Sequence, residues 1–204
     1  MPRPRSLTPR RLASAALAVI DREGLAGLSM RAVAQELGLS TMALYRYVDD
    51  REELERLVVD LVLDDVDTTP PAARAPWHER IETMVRRLRD AMSAHPATLP
   101  LTLVHRHHSP AGLRWSETVL AILTEAGFTG ERRVVALRGL LGYVIGAIQL
   151  EHLGPMSGAG TTAISALPPG EFPLMAETAR HARNVDADQE FFGGLALLLH
   201  GLRA

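Results

Sequence analysis

Residues 28–54 read LSMRAVAQELGLSTMALYRYVDDREEL, and this stretch decides the fold. Ser29 stands at a helix start, where its hydroxyl can accept a bond from an otherwise unpaired backbone N–H. Ala32, Val33 and Leu37 recur at helical spacing and give that helix an apolar face. Gly38 follows at once, where a helix end needs a residue that tolerates a left-handed backbone. Leu39 occupies the turn. Ser40 or Thr41 caps a second helix that carries Met42, Ala43, Leu44, Tyr45, Arg46 and Tyr47. Helix, glycine turn and helix within about twenty residues is the helix-turn-helix pattern.

A helix that reads DNA places core anchors on one face and base- or phosphate-seeking side chains on the other. Leu44 and Val48, four residues apart, suit the anchors. Ser40, Thr41, Met42, Tyr45 and Arg46 suit the other surface, since hydroxyls and tyrosines bond phosphates and arginine bonds guanine in two places. The plain alternative is a helical hairpin that meets only water. The Tyr-Arg-Tyr cluster at 45–47, flanked by aliphatics, weighs against it.

Outward from this core, Thr8 and Pro9 suit the cap and first position of a preceding helix, and Gly24 its end. Its stripe of Leu12, Ala15, Ala16, Val19 and Ile20 is expected to pack on Val33, Leu37 and Leu44. At roughly 25 cal/mol per Å2 of apolar surface, that burial outweighs any cap. Before it, Arg3 and Arg5 form either a basic arm for DNA or a solvated tail. After the core stretch, Asp49-Asp50 caps a helix from Arg51 to about Asp65, with Leu54, Leu57, Val58, Leu61 and Val62 inward. A helix start attracts phosphate, and Arg51 adds a cation there.

VDTTPPAARAP at 66–76 is turn-rich. Helices are then expected from Trp77, with Ile81, Met84, Val85, Leu88 and Met92 apolar, over 101–106, over 113–127 and over 131–153. A loop-rich stretch at 154–185 holds one short helix near 174–182. A last helix covers 189–202. Gly139, Gly142, Gly146 and Ala147 lie three or four residues apart within 131–153, and a small-residue stripe normally means that another helix packs close. That helix and the last are too apolar for a solvated surface. They read as a dimer interface or, alternatively, as a monomer core.

The 204 residues carry a net charge of −2, 47% hydrophobic residues, 4% aromatics and no cysteine. Few β-branched runs and many Ala and Leu favour an all-helical fold. Charge is unevenly placed. Residues 1–47 hold seven arginines (Arg3, Arg5, Arg10, Arg11, Arg22, Arg31, Arg46) against Asp21, Glu23 and Glu36, a surplus of four positive charges, so the remainder has a surplus of six negative ones. A basic head on an acidic body fits DNA binding by the head alone. Without cysteine there is no disulfide frame or thiolate chemistry. The motifs G-x-S-x-G and H-E-x-x-H and a glycine-rich phosphate loop are absent, and the acids and histidines show no acid/base spacing, so no enzyme is expected. No signal peptide or uncharged apolar run near 18 residues is found, which predicts a cytoplasmic protein with no membrane partner. His105, His107 and His108 form the one metal-like cluster, with Glu151-His152 elsewhere in the chain. On a loop beside proline these are more simply exposed histidines.

Residues 10–63 resemble the N-terminal domain of TetR-type transcriptional repressors, through RRLASAALAVIDREGLAGLSM and the pattern LS-x-R-x-V-A-x-E-L-G-(apolar)-S-x-x-x-L-Y-R-Y-V. LLGYVIGAIQLEH and FFGGLALLLHGL resemble the C-terminal domain of the tetracycline-repressor type more loosely. The resemblance implies an all-α fold of about nine to ten helices. It implies a helix-turn-helix head at 1–49, its basic arm at about 1–7, and an effector-binding and dimerisation body at 50–204. It implies DNA contacts from Arg31, Ser40, Thr41, Met42, Tyr45, Arg46, Tyr47 and Arg51, and a homodimer through 131–153 and 189–202.

A ligand pocket is the expected use of the body, with candidate liners Met84, Leu88, Met92, Leu103, His105, Trp115, Tyr143, Ala147, Glu151 and Phe172. In the tetracycline-repressor branch a His and a Glu help to hold a drug-bound Mg2+, and His105 and Glu151 fall at roughly matching places. Tyr143, however, stands where a neighbouring His is expected, so tetracycline is not carried over. No metal or resident cofactor is expected; a divalent metal brought in with an effector is the exception left open. The reading is a ligand-responsive regulator, chiefly a repressor, that binds a palindromic operator and is released by a small molecule. The alternative is a small-molecule-binding or interaction dimer whose head is vestigial.

Overall fold

A computed structural model describes residues 7–202; the arm residues Arg3 and Arg5 lie outside them. Among the described residues there are eleven α-helices and no strand: α1 (Pro9–Glu23), α2 (Met30–Glu36), α3 (Thr41–Leu44), α4 (Arg51–Asp64), α5 (Trp77–Ser93), α6 (Leu99–His105), α7 (Pro110–Glu125), α8 (Gly130–Leu153), α9 (Ala159–Ser165), α10 (Pro173–Ala182) and α11 (Ala187–Gly201). Short 3-10 turns cover Leu25–Gly27 and Pro96–Thr98. The helix count exceeds the nine or ten expected. The addition is α9, whose Gly158-Ala-Gly-Thr-Thr start reads as loop because glycine and threonine are poor helix formers.

Two compact units form. One holds the chain as far as Ala72 together with Arg86–Val119, the other Ala73–Val85 together with Leu120 onward. This grouping by contact differs from a division of the sequence at residue 49. α4 packs on α1 of the head and also on α6, so the connecting helix shares the head's core.

In the first unit, Thr8 Oγ1 accepts the Arg11 N–H at the start of α1, and Pro9 follows as expected. Leu12, Ala16, Val19 and Ile20 are fully buried with Leu28, Val33, Leu44, Leu54 and Val58. Trp115 lies in the same unit at 2% exposure. Arg87 donates to the carbonyls of Asp67 and Thr69 and ion-pairs with Asp67, which fastens the turn-rich stretch after α4. α7 starts at Pro110, earlier than Gly112 suggests. A Cβ at Gly112 would lie 3.2 Å from both the Arg106 carbonyl and Leu63 Cδ1, so the glycine serves a close approach rather than a break.

In the second unit, Ile81, Met84 and Val85 are buried, as are Ile122, Leu123 and Phe128. Trp77 meets Phe128 edge-on with centroids 5.4 Å apart, and Arg80 pairs with Glu125 at 2.5 Å. α8 buries Ala136, Leu140, Val144, Ile145 and Ile148, and packs on α11, which buries Phe191, Leu195 and Leu199. The Tyr143 hydroxyl donates to the Phe191 carbonyl (2.5 Å) and lies where a Cβ at position 194 would stand, so Gly194 makes room for it.

α8 is not buried on all sides. Val135, Gly139, Gly142, Gly146, Leu150 and Leu153 recur at three- and four-residue spacing along it. Val135, Leu150 and Leu153 are 67%, 65% and 77% exposed, and a Cβ added at any of the three glycines would have nothing within 4 Å. By length and composition alone α8 is long and apolar enough to cross a bilayer, a test that helices of water-soluble proteins also pass. One face is core and the opposite stripe is uncovered. α11 repeats the arrangement with Gly193, Leu197 (78% exposed) and Gly201.

Candidate nucleic-acid interface

The α2–α3 region is built by its caps. Ser29 Oγ accepts the Ala32 N–H at 3.1 Å. Gly38 takes φ +68°, a left-handed backbone that costs a residue with a Cβ about 1–2 kcal/mol, and the Leu39 N–H reaches back to the Ala34 carbonyl. Ser40, not Thr41, caps α3: its Oγ accepts the Ala43 N–H at 3.2 Å, and the hydroxyl proton is left to donate outward.

α3 is shorter than expected, with α-helical residues only from Thr41 to Leu44. Beyond it the Arg46 N–H reaches the Ala43 carbonyl and the Tyr47 N–H the Leu44 carbonyl, three residues back rather than four. This tighter turn carries Tyr45, Arg46 and Tyr47. Leu44 (0%) and Val48 (2%) are the anchors, while Met42 is 78% exposed, Tyr45 47% and Tyr47 45%. Arg31, Ser40 and Arg46 are exposed and Thr41 is half-buried. The expected DNA-facing residues thus stand on the uncovered surface of the head.

Asp50 Oδ1 accepts the Glu53 N–H at the start of α4, and Glu52 and Glu53 lie in its first turn. Those acids offset the positive end of the helix, so the cation at this point is the Arg51 guanidinium. Arg51 Nε donates to Glu55 Oε1 at 2.8 Å, and Glu55 Oε2 lies 3.2 Å from His105 Nε2. Glu55 was not among the expected residues; its one sequence signal is the four-residue spacing from Arg51.

The expected pocket liners divide between the units. Leu88, Met92, Leu103, His105 and Trp115 belong to the first, and Met84, Tyr143, Ala147, Glu151 and Phe172 to the second. Met84, Leu88, Met92, His105 and Trp115 are buried, and Tyr143, Ala147 and Glu151 are half-buried. Leu103 (43%) and Phe172 (41%) are too exposed to line an enclosed cavity as they stand. The histidine cluster separates: His105 is turned to Glu55, whereas His107 and His108 are exposed with ring centroids 4.0 Å apart. Among the described residues no group of three or more His, Cys, Asp or Glu side chains is placed to hold a metal ion.

Residues 12–56 match the model of the tetR family of bacterial regulatory proteins, and residues 69–204 match that of the tetracyclin repressor-like C-terminal domain. The chain belongs to the TetR family of transcriptional regulators. Similar proteins in this family include the HTH-type transcriptional repressor DrrR1 of Streptomyces coeruleorubidus, 32% identical over 98% of this chain and 78% of its own length. The class D tetracycline repressor protein of Escherichia coli is 27% identical over 92% of this chain and 85% of its own. ActR of Streptomyces coelicolor, solved in complex with actinorhodin, superposes with a TM-score of 0.79 at 30% identity, covering 98% of this chain and 96% of that one. This TetR-family chain shares the fold of ActR and is all-α with an N-terminal helix-turn-helix.

Proposed function

We propose that this regulator is a homodimeric repressor that binds a palindromic operator and leaves it when a small molecule occupies the C-terminal region. The observation that carries this is the head: α3 is fixed by the Ser40 cap and the Leu44 and Val48 anchors, and Tyr45, Arg46 and Tyr47 are left exposed, as are Arg31 and Arg51. A symmetric operator needs two such heads about 34–36 Å apart, which a two-fold dimer supplies. The uncovered stripes of α8 and α11 are the surfaces offered for that dimer. ActR's complex with actinorhodin supports a small organic effector. Linkage then requires the effector to favour the DNA-free form and DNA to weaken effector binding by the same factor. The function needs no resident cofactor and is exercised in the cytosol.

The test is selection from a random duplex pool followed by salt titration of the enriched site. A palindromic motif is expected, with log K falling by about 0.9 per phosphate contact per unit of log salt. Arg46→Ala should then cost about 1–3 kcal/mol of operator affinity. A dimer that folds normally but enriches no duplex would favour the vestigial-head alternative.

A further inference from the structure

Both oxygens of Glu55 are engaged, one by Arg51 Nε at 2.8 Å and one by His105 Nε2 at 3.2 Å. The side chains grade from surface to interior: Arg51 is 50% exposed, Glu55 16% and His105 5%. A carboxylate accepting from Arg51 is matched at its other oxygen by the His105 tautomer whose Nε2–H donates. An exposed pair four residues apart on a helix contributes little by itself, because two long side chains must be held in one geometry. Here the third member removes that freedom. His105, near the end of α6, pins Glu55 from an element other than α4, and Glu55 in turn fixes the Nε edge of the guanidinium. Among the described residues neither Nη group of the half-exposed Arg51, at the start of α4, has a hydrogen-bond partner.

We propose that Glu55 and His105 are positioning residues for Arg51, together holding its guanidinium so that the Nη groups meet a DNA phosphate. This rests on the operator-binding reading above. It assigns Glu55 a purpose that its charge alone would contradict, since a carboxylate beside a phosphate site repels the phosphate. The arrangement is favoured only if the orientation it imposes outweighs that repulsion, and the two effects separate experimentally.

The experiment measures affinity and salt slope on a duplex enriched by the wild-type protein, for Glu55→Ala, Glu55→Gln, His105→Ala and His105→Gln, each alone and combined with Arg51→Ala. Melting temperatures are recorded in parallel to confirm that each variant is folded. Glu55→Ala frees one rotamer-rich side chain and should weaken binding about two- to tenfold. Glu55→Gln keeps an oxygen for Nε, presents an NH2 that His105 Nε2 accepts in its other tautomer, and loses the repulsive charge, so it should bind at least as tightly as wild type. His105→Ala should weaken binding in the same direction, and His105→Gln, which keeps an N–H donor near Nε2, should restore it. With Arg51→Ala the losses should vanish, and only the gain from removing the Glu55 charge should remain. Tighter binding by Glu55→Ala, or losses that persist without Arg51, would overturn the proposal. Arg51→Ala with unchanged affinity and salt slope would remove Arg51 from the DNA contacts, and this proposal with it, while leaving the head a DNA reader. A wild type that enriches no duplex would overturn the DNA reading itself.

Discussion

Gly38 and Gly142 are both exposed glycines beside aliphatic helices, yet they are glycine for different reasons. Gly38 sits at φ +68°, so a side chain there is strained although nothing lies within 4 Å of where it would go. Gly142 is an ordinary helical residue in α8, also with nothing within 4 Å, and no backbone requirement explains it. The head uses glycine to turn the chain inside one protomer. α8 uses it to leave a bare stripe between Val135 and Leu150, and that stripe has meaning only if a second surface comes against it. The head's anchors Leu44 and Val48 are buried within the chain, whereas α8 and α11 keep part of their aliphatic residues uncovered.

The largest effect is expected from Gly142→Glu. If a partner covers the stripe, an unpaired charge placed there should cost dimerisation on the order of 3–5 kcal/mol. Light scattering should find a monomer whose helical content is intact, and a dimer of undiminished affinity would place the partner elsewhere. Leu44→Ala tests the other side of the comparison. It removes a fully buried anchor and should cost about 2–5 kcal/mol of folding stability. Denaturant titration would read that loss, and DNA binding should fall with it although no outward-facing residue has changed. A smaller contrast comes from one substitution at two places. Gly38→Ala should destabilise by about 1–2 kcal/mol, while Gly142→Ala should stabilise the isolated protomer by up to about 1 kcal/mol. Melting of dilute protein decides this, and equal signs would dissolve the distinction.

The smallest effect concerns Asp60. Burial holds its carboxyl above the ordinary range, against the opposing bond from Ser109. The folded chain therefore keeps a proton that the unfolded chain has released, and stability falls as pH rises from about 4 through the folded value. Asp60→Asn should be more stable than wild type by a few tenths of a kcal/mol at pH 7. That advantage should disappear in acid, and an advantage that instead grew on acidification would reverse the assignment.

What was legible from residues followed the strength of local signals. Thr8, Ser29 and Asp50 each cap the helix expected of them, because a short polar side chain before an apolar run has one economical place to bond. The inward faces of α1 and α5 followed from helical spacing. The early end of α3 did not, since Tyr45, Arg46 and Tyr47 have no residue that forbids a full helical turn. α9 was hidden by its glycine and threonines. The pocket liners were the least legible. A buried Met or Leu looks the same whether it fills a core or walls a cavity, and the exposure of Leu103 and Phe172 depends on elements far away in sequence. Glu55 was overlooked because a spacing rule finds the pair with Arg51 and is silent about a histidine fifty residues on.

The chain contains two tryptophans, and they are divided one to each unit: Trp115 buried in the first, Trp77 against Phe128 in the second. The molecule thus carries its own pair of optical probes. Replacing either with phenylalanine leaves a single tryptophan, which long-wavelength excitation selects over the three tyrosines and which reports on one unit without dyes or labels. Whether the two units melt as one cooperative body or in sequence is then written in whether the two emission curves share a midpoint, and adding DNA or a small molecule shows which curve each one moves.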